Sequence, residues 1–126
     1  MFLMMKLISM NIRGTGGSSK KKYLEDLIRK EQANVVCLQE TKCKELWKEN
    51  IFKMWGTNDI DWVERGADNN VGGVITIWRR SRFHLVNVIT GMNFCIIEGE
   101  WKVWETFHIT IVNIYSFGSL KERNAI

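Results

Sequence analysis

The stretch CLQETKC, residues 37–43, decides how this chain is read. Four apolar residues, VVCL at 35–38, lead into it between Asn34 and the pair Gln39-Glu40, the pattern of a short buried strand. Upstream, MKLISMN at 5–11 reads as a second strand covered on both faces, stopping at Arg13-Gly14. The run GTGGSSKKK that follows is a loop by composition. Ser18 or Ser19 can cap a helix whose apolar positions Tyr23, Leu24, Leu27 and Ile28 recur at helical spacing, with a predicted end near Glu31. Strand, helix and strand make a βαβ unit, whose right-handed crossover sets the two strands parallel. Asn11 and Glu40 then fall at carboxyl ends on the same edge of the sheet, where open sheets bind their ligands.

Downstream, the amphipathic stretch at 44–53, with Leu46, Trp47, Ile51 and Phe52, predicts a second helix. From Val71 onward the texture changes to VGGVITIW, FHLVNVIT, FCIIEGEW and FHITIVNIY separated by short turns, which predicts an antiparallel meander. The last residues, SFGSLKERNAI, offer a cap at Ser119 and the first turns of a helix. No internal repeat or flexible linker interrupts the chain, so residues 1–126 are expected to form one domain.

Composition narrows the classes. Of 126 residues 45% are hydrophobic and 25% charged, which excludes disorder as the default. No apolar run reaches 18 residues, and the opening MFLMMKLISM is broken by Lys6 and Ser9, so neither a membrane span nor a secretory signal fits. Cys37, Cys43 and Cys95 form no C-x-x-C pair, which argues against a zinc ribbon and for a reducing intracellular setting. The net charge of +4 favours polyanionic partners without requiring them. Proline is absent, and we have no physical account of that.

Gly14, Gly16 and Gly17 invite a phosphate-loop reading. A Walker loop fails because Ser19, Lys20 and Lys21 stand where Gly-Lys-Ser/Thr is needed, and a dinucleotide fingerprint lacks its third glycine and runs on into a meander. A magnesium ion is better served: it takes oxygen ligands and keeps several waters, so Glu40 with an amide oxygen from Asn11 suffices if a substrate phosphate completes the shell.

The motifs SMNIRG, CLQETK, VGGVITIW and NIYS, in that order, resemble those of the endonuclease/exonuclease/phosphatase superfamily. The likeness is greatest to apurinic/apyrimidinic endonucleases and the endonuclease domains of non-LTR retrotransposons. That resemblance implies Glu40 as the metal-ligating carboxylate with Asn11 beside it, Mg2+ (or Mn2+) as the ion, and DNA as the partner. It implies Tyr115 as the catalytic tyrosine at the scissile phosphate, Asn113 as a second catalytic residue on the same strand face, and Lys42 orienting the carboxylates. Arg13, Lys42, Arg79 and Arg80 are the candidate nucleic-acid contacts. Taken singly, Glu40 also reads as an exposed strand-end carboxylate, Asn11 as a turn residue, Tyr115 as a core aromatic and the basic clusters as solvated surface. His84 and His108, without an acidic partner in sequence, read as structural.

Met10 stands where the family usually has Trp, and Phe117 where it commonly has Pro. The family's later Asp-x-Asn and Ser-Asp-His motifs are not seen in this sequence. The resemblance therefore implies an α/β fold, the N-terminal half of a four-layer α/β sandwich, with a mixed sheet, covering helices and no membrane contact. One sheet face is expected to stay bare and available for association. The implied function is a truncated magnesium-dependent DNA phosphodiesterase, inactive alone, located in the nucleus if it acts on DNA. The alternatives are a phosphomonoesterase of the same fold and a non-catalytic nucleic-acid-binding fragment.

Overall fold

Strand β2 (Val35–Gln39) is the axis of the computed structural model, which describes residues 5–14, 18–42, 48–68 and 71–115. All five of its residues are buried, the four apolar ones as their unbroken run requires, with the polar Gln39 beside them. Strand β1 (Leu7–Asn11) pairs with it in parallel, Leu7 opposite Val35 and Asn11 opposite Gln39. The crossover between them is helix α1 (Ser18–Glu31), so the expected βαβ unit is present. Leu24 and Ile28 are the buried face of α1, while Tyr23 is exposed. The helix ends as predicted: Gln32 is left-handed (φ 51°), its N–H donates to Arg29 O, and the Ala33 N–H donates to Ile28 O, which closes the last carbonyls.

Helix α2 (Lys48–Trp55) follows, then β3 (Ile60–Arg65) and β4 (Val74–Arg79). The order in this mixed sheet is β1-β2-β4-β3, with β4 antiparallel to both neighbours. The second sheet is β5 (Phe83–Gly91), β6 (Phe94–Lys102) and β7 (Thr106–Ile114), antiparallel in that order. Helices, mixed sheet and antiparallel sheet thus form three layers over two cores. Leu24, Ile28, Ile51 and Trp55 of the helices meet Val36, Leu38, Ile75 and Ile77 of the mixed sheet. On its other face Val35, Cys37, Val74 and Trp78 meet Phe83, Cys95, Ile97, Trp101 and Ile111 of the second sheet. Trp78 and Phe83 pack edge to face at 5.6 Å.

Four expectations change. The apolar run VITIW belongs to the mixed sheet and not to the meander, because its residues are buried on both faces, whereas the meander strands alternate. The chain therefore contributes to two sheets, and the mixed sheet's inner face is covered by the second sheet where it was expected bare. What stays open is the outer face of the second sheet, where Ile89, Val112 and Ile114 are exposed. Strand β1 is covered on one face only: Ile8 and Met10 pack toward the helices, while Leu7, Ser9 and Asn11 are exposed at the sheet edge.

Strand β3 was not anticipated. Its charged residues Asp61, Glu64 and Arg65 hid it, and an edge position tolerates them. Glu100 lies in register between His84 and His108, an acidic neighbour that strand pairing alone reveals. The predicted cap at Ser119 and the start of the second helix at 44–47 lie outside the described residues.

Candidate metal and phosphate site

The carboxyl ends of β1 and β2 are tied together beyond their last paired residues. The Ile12 N–H donates to Gln39 O at 3.0 Å and the Gly14 N–H to Glu40 O at 2.6 Å, so the Arg13-Gly14 turn lies along the backbone of Glu40. Asn11 shapes that turn, because its Oδ1 accepts from the Arg13 N–H at 3.1 Å. The turn reading of Asn11 and its placement beside Glu40 hold together. An amide oxygen has a second lone pair, so the turn bond leaves it an acceptor site.

Backbone strain concentrates here. Four described non-glycine residues have positive φ, and three of them, Arg13 (49°), Glu40 (54°) and Lys42 (56°), stand at this sheet end. Two glycines hold the arrangement. The Thr41 N–H donates to Gly73 O and the Lys42 N–H to Gly72 O, extending the β2–β4 pairing past its strands. Gly73 (φ 96°) presses on Thr41 so closely that a Cβ would lie 2.1 Å from its Oγ1. Gly72 carries the ring of Tyr115, whose hydroxyl would lie 3.0 Å from a Cβ there. Thr41 is fully buried, and its hydroxyl is a buried polar atom with no hydrogen-bond partner, as are the ring nitrogens of Trp55 and Trp101.

Tyr115 is only 6% exposed, anchored by its N–H to Asn93 O and by Asn93 Nδ2 to its own carbonyl. Burial, and secondarily the charge of Glu40, push its phenol above the ordinary value of 10. The phenol therefore stays protonated at neutral pH and keeps its O–H. Lys42 is exposed and its stem passes near Gly14, while Lys20 Nζ donates to Arg13 O. Arg13, Lys20 and Lys42 thus gather at this end, beside a groove of about 320 Å3 lined by Asn11, Arg13, Ser19, Lys20 and Tyr23 among others.

The structure brings Asn11, Arg13, Glu40, Lys42 and Tyr115 to one end of the sheet and separates the rest. Arg79 and Arg80 sit at the opposite end, since Arg79 closes β4 opposite Ile60 whereas Val74, at its start, pairs with Gln39. Arg79 lies over the Trp55 ring, and Arg80 donates to Asp59 O through its backbone and to Asn58 O through its side chain. Those contacts make both arginines structural neighbours of the α2–β3 turn. Asn113 is 1% exposed, with its carbonyl and its amide nitrogen both hydrogen-bonded inside the protein, so it does not face the groove. Sequence reasoning missed Gln39, Thr41 and the structural use of Gly72-Gly73. A glycine pair opening a buried strand was the available signal for the last.

Among the described residues no cluster of His, Cys, Asp and Glu forms a complete metal cage. The donors present, one carboxylate from Glu40 and one amide oxygen from Asn11, fit a hard cation that keeps waters and shares them with a phosphate.

A family model described as Endonuclease/Exonuclease/phosphatase matches residues 8–97. Solved structures agree in fold. The AP endonuclease LMAP of Leishmania major superposes with a TM-score of 0.68 at 19% identity, covering 96% of this chain and 43% of that one. The APE2 catalytic domain of Xenopus laevis gives 0.65 at 15% identity, covering 94% and 47%. The TDP2 of D. rerio, complexed with a single-strand DNA product, gives 0.56 at 17%, covering 96% and 52%. The chain thus spans about half the length of these structures, and identities this low establish fold alone. No curated protein matches the sequence.

Proposed function

The chain belongs to the Endonuclease/Exonuclease/phosphatase family, and from that premise we propose that it carries the metal-and-phosphate half of a DNA phosphodiesterase site, of abasic-site or retrotransposon type. The observation that supports this most is the convergence of Glu40, Asn11 and Tyr115 on one strained sheet end. Strain of this kind persists where the surroundings over-determine it, and it clusters at working sites.

In this reading Glu40 and Asn11 hold a magnesium ion, with manganese as a substitute. The bound ion neutralises charge on a phosphate oxygen. Tyr115, protonated at neutral pH, donates a hydrogen bond to a phosphate oxygen as negative charge develops on it. Arg13, Lys20 and Lys42 contact flanking phosphates of the strand, positioning it without reading sequence.

Hydrolysis also needs a group to activate water and one to protonate the leaving oxygen. Both histidines lie toward the opposite end, on the outer face of the second sheet, flanking Glu100 and out of reach of Glu40. In this reading the chain by itself binds DNA in a magnesium-dependent way and does not cut it. Its setting is inside the cell, in the nucleus if DNA is the substrate. The open face with Ile89, Val112 and Ile114 is where association would take place.

The test is a nicking assay on supercoiled and abasic-site DNA with magnesium, run beside a DNA-binding titration. Expected are no cleavage and a binding component that chelation and Glu40→Ala both remove. Robust cleavage by this chain, abolished in Glu40→Ala, overturns its inactivity while upholding the site. Salt-sensitive binding indifferent to both treatments favours the non-catalytic nucleic-acid-binding reading.

A further inference from the structure

We propose that Gln39 and Asn113 are positioning residues, a buried polar pin between the two sheets that fixes the spacing of Tyr115 from Glu40; this rests on the phosphodiesterase reading above. Gln39 immediately precedes Glu40 on β2, and Asn113 precedes Tyr115 by two residues on β7. Gln39 Nε2 donates to Asn113 Oδ1 at 2.8 Å, joining the two sheets side chain to side chain. It also donates to Ser9 Oγ at 3.0 Å, two residues before Asn11 on β1. Asn113 Nδ2 donates to Ile75 O at 2.9 Å and Thr76 Oγ1 at 3.1 Å on β4, with a longer contact to Leu38 O at 3.4 Å on β2. One node therefore reaches β1, β2 and β7, which carry or lead to Asn11, Glu40 and Tyr115. It also reaches β4, which begins at the Gly72-Gly73 cradle.

Most of the remaining contact between the sheets is apolar, through Val35, Val74, Trp78, Ile97, Trp101 and Ile111, with one further polar link where Cys95 on β6 hydrogen-bonds Thr76 on β4. Apolar contact is non-directional and leaves the offset between two sheets weakly specified. A buried hydrogen-bonded pair is directional, because an offset of one sheet on the other leaves its donors and acceptors unsatisfied. Packing alone would be served as well by a Leu and a Met of similar volume. Two amides in contact, both buried, at the positions leading into Glu40 and Tyr115 set geometry as well as filling space. Tyr115 then reaches Gly72 at van der Waals distance, and Gly72 in turn holds Lys42.

The experiment replaces both partners at once, Gln39→Met with Asn113→Leu, since removing a buried pair together avoids stranding one amide. Gln39→Met alone is the second variant, which leaves the Asn113 carbonyl unpaired while its amide nitrogen stays bonded to β4, and Ile97→Val is the control that weakens the same interface without touching the node. The chain has two tyrosines, Tyr23 and Tyr115, so selective ring labelling gives two NMR signals, one on each side of the comparison. Two readouts are taken: the metal-free Tyr115 ring to Gly72 Hα cross-peak, and broadening of the Tyr115 ring by Mn2+. The node variants are expected to stay folded and to lose the cross-peak and the broadening together, with the cross-peaks of Tyr23 unchanged. Ile97→Val is expected to keep both. Node variants that retain both readouts overturn the proposal, and so does equal loss in Ile97→Val. If Mn2+ fails to broaden Tyr115 even in the unaltered chain, the metal-site reading fails, and the metal-free cross-peak still decides the role of the node.

Discussion

The mixed sheet has two unlike ends. At one, Arg13, Glu40 and Lys42 are left-handed, and two glycines are pressed against neighbouring side chains. At the other, Trp78 packs on Phe83, Arg79 covers Trp55, and the turn residues Asp59 and Ser81 satisfy one another through a 2.6 Å hydrogen bond. Stability lives at the second end, and the first end is maintained at its expense. A site that must hold a carboxylate at a fixed place uses backbone conformations that most residues avoid, and a well-packed remainder tolerates them.

The largest expected effect lies at the packed end. Trp78→Ala should lower stability by about 3–5 kcal/mol, read from urea unfolding, while the fraction still folded binds Mn2+ as before. At the strained end Gly73→Ala should cost about 3 kcal/mol, combining a left-handed backbone with overpacking against Thr41. Unlike Trp78→Ala, it should also abolish Mn2+ binding in the folded fraction. If the two substitutions proved indistinguishable in metal affinity, the contrast between the ends would collapse.

The dry layer between the sheets can be probed by pH. Burial pushes the Cys37 thiol from 9.0 up to about 11, and burial raises Cys95 as well. The folded protein holds these protons after the unfolded chain has released them, so the two thiols leave stability unchanged below pH 9 and lower it as pH rises toward 11. For Cys37 the full loss is about 2–3 kcal/mol, and Cys37→Ala should flatten that part of the curve. Tyr115 adds a loss of the same sign above pH 10. The smallest effect is Gly56→Ala, also left-handed (φ 81°) but with open space around it, expected at about 1 kcal/mol with metal binding intact.

Much of the strained end was legible in the sequence. The βαβ unit placed Asn11 and Glu40 together because a parallel pair joined by a crossover fixes which ends coincide, and that needs no tertiary detail. The place of the arginines relative to Glu40 was not legible for a related reason: a cluster of like charges is visible in one dimension, but its position depends on the direction in which β4 runs. Since β4 is antiparallel to β2, Arg79 is carried away from Glu40. Asn113 was assigned to the right strand and face but not to its burial, because a polar residue between apolar ones reads as exposed until a partner such as Gln39 is known. Thr41 gave no signal at all, since its closeness to Gly73 arises only when the two loops meet.

The most direct test of the account is an Mn2+ binding isotherm for the chain and for Glu40→Gln, with circular dichroism confirming that both are folded. If the strained end is a cation site, Glu40→Gln should weaken Mn2+ binding by about tenfold or more, since a first ligand should cost no less than the supporting groups around a metal. Equal affinity in the two proteins would contradict it.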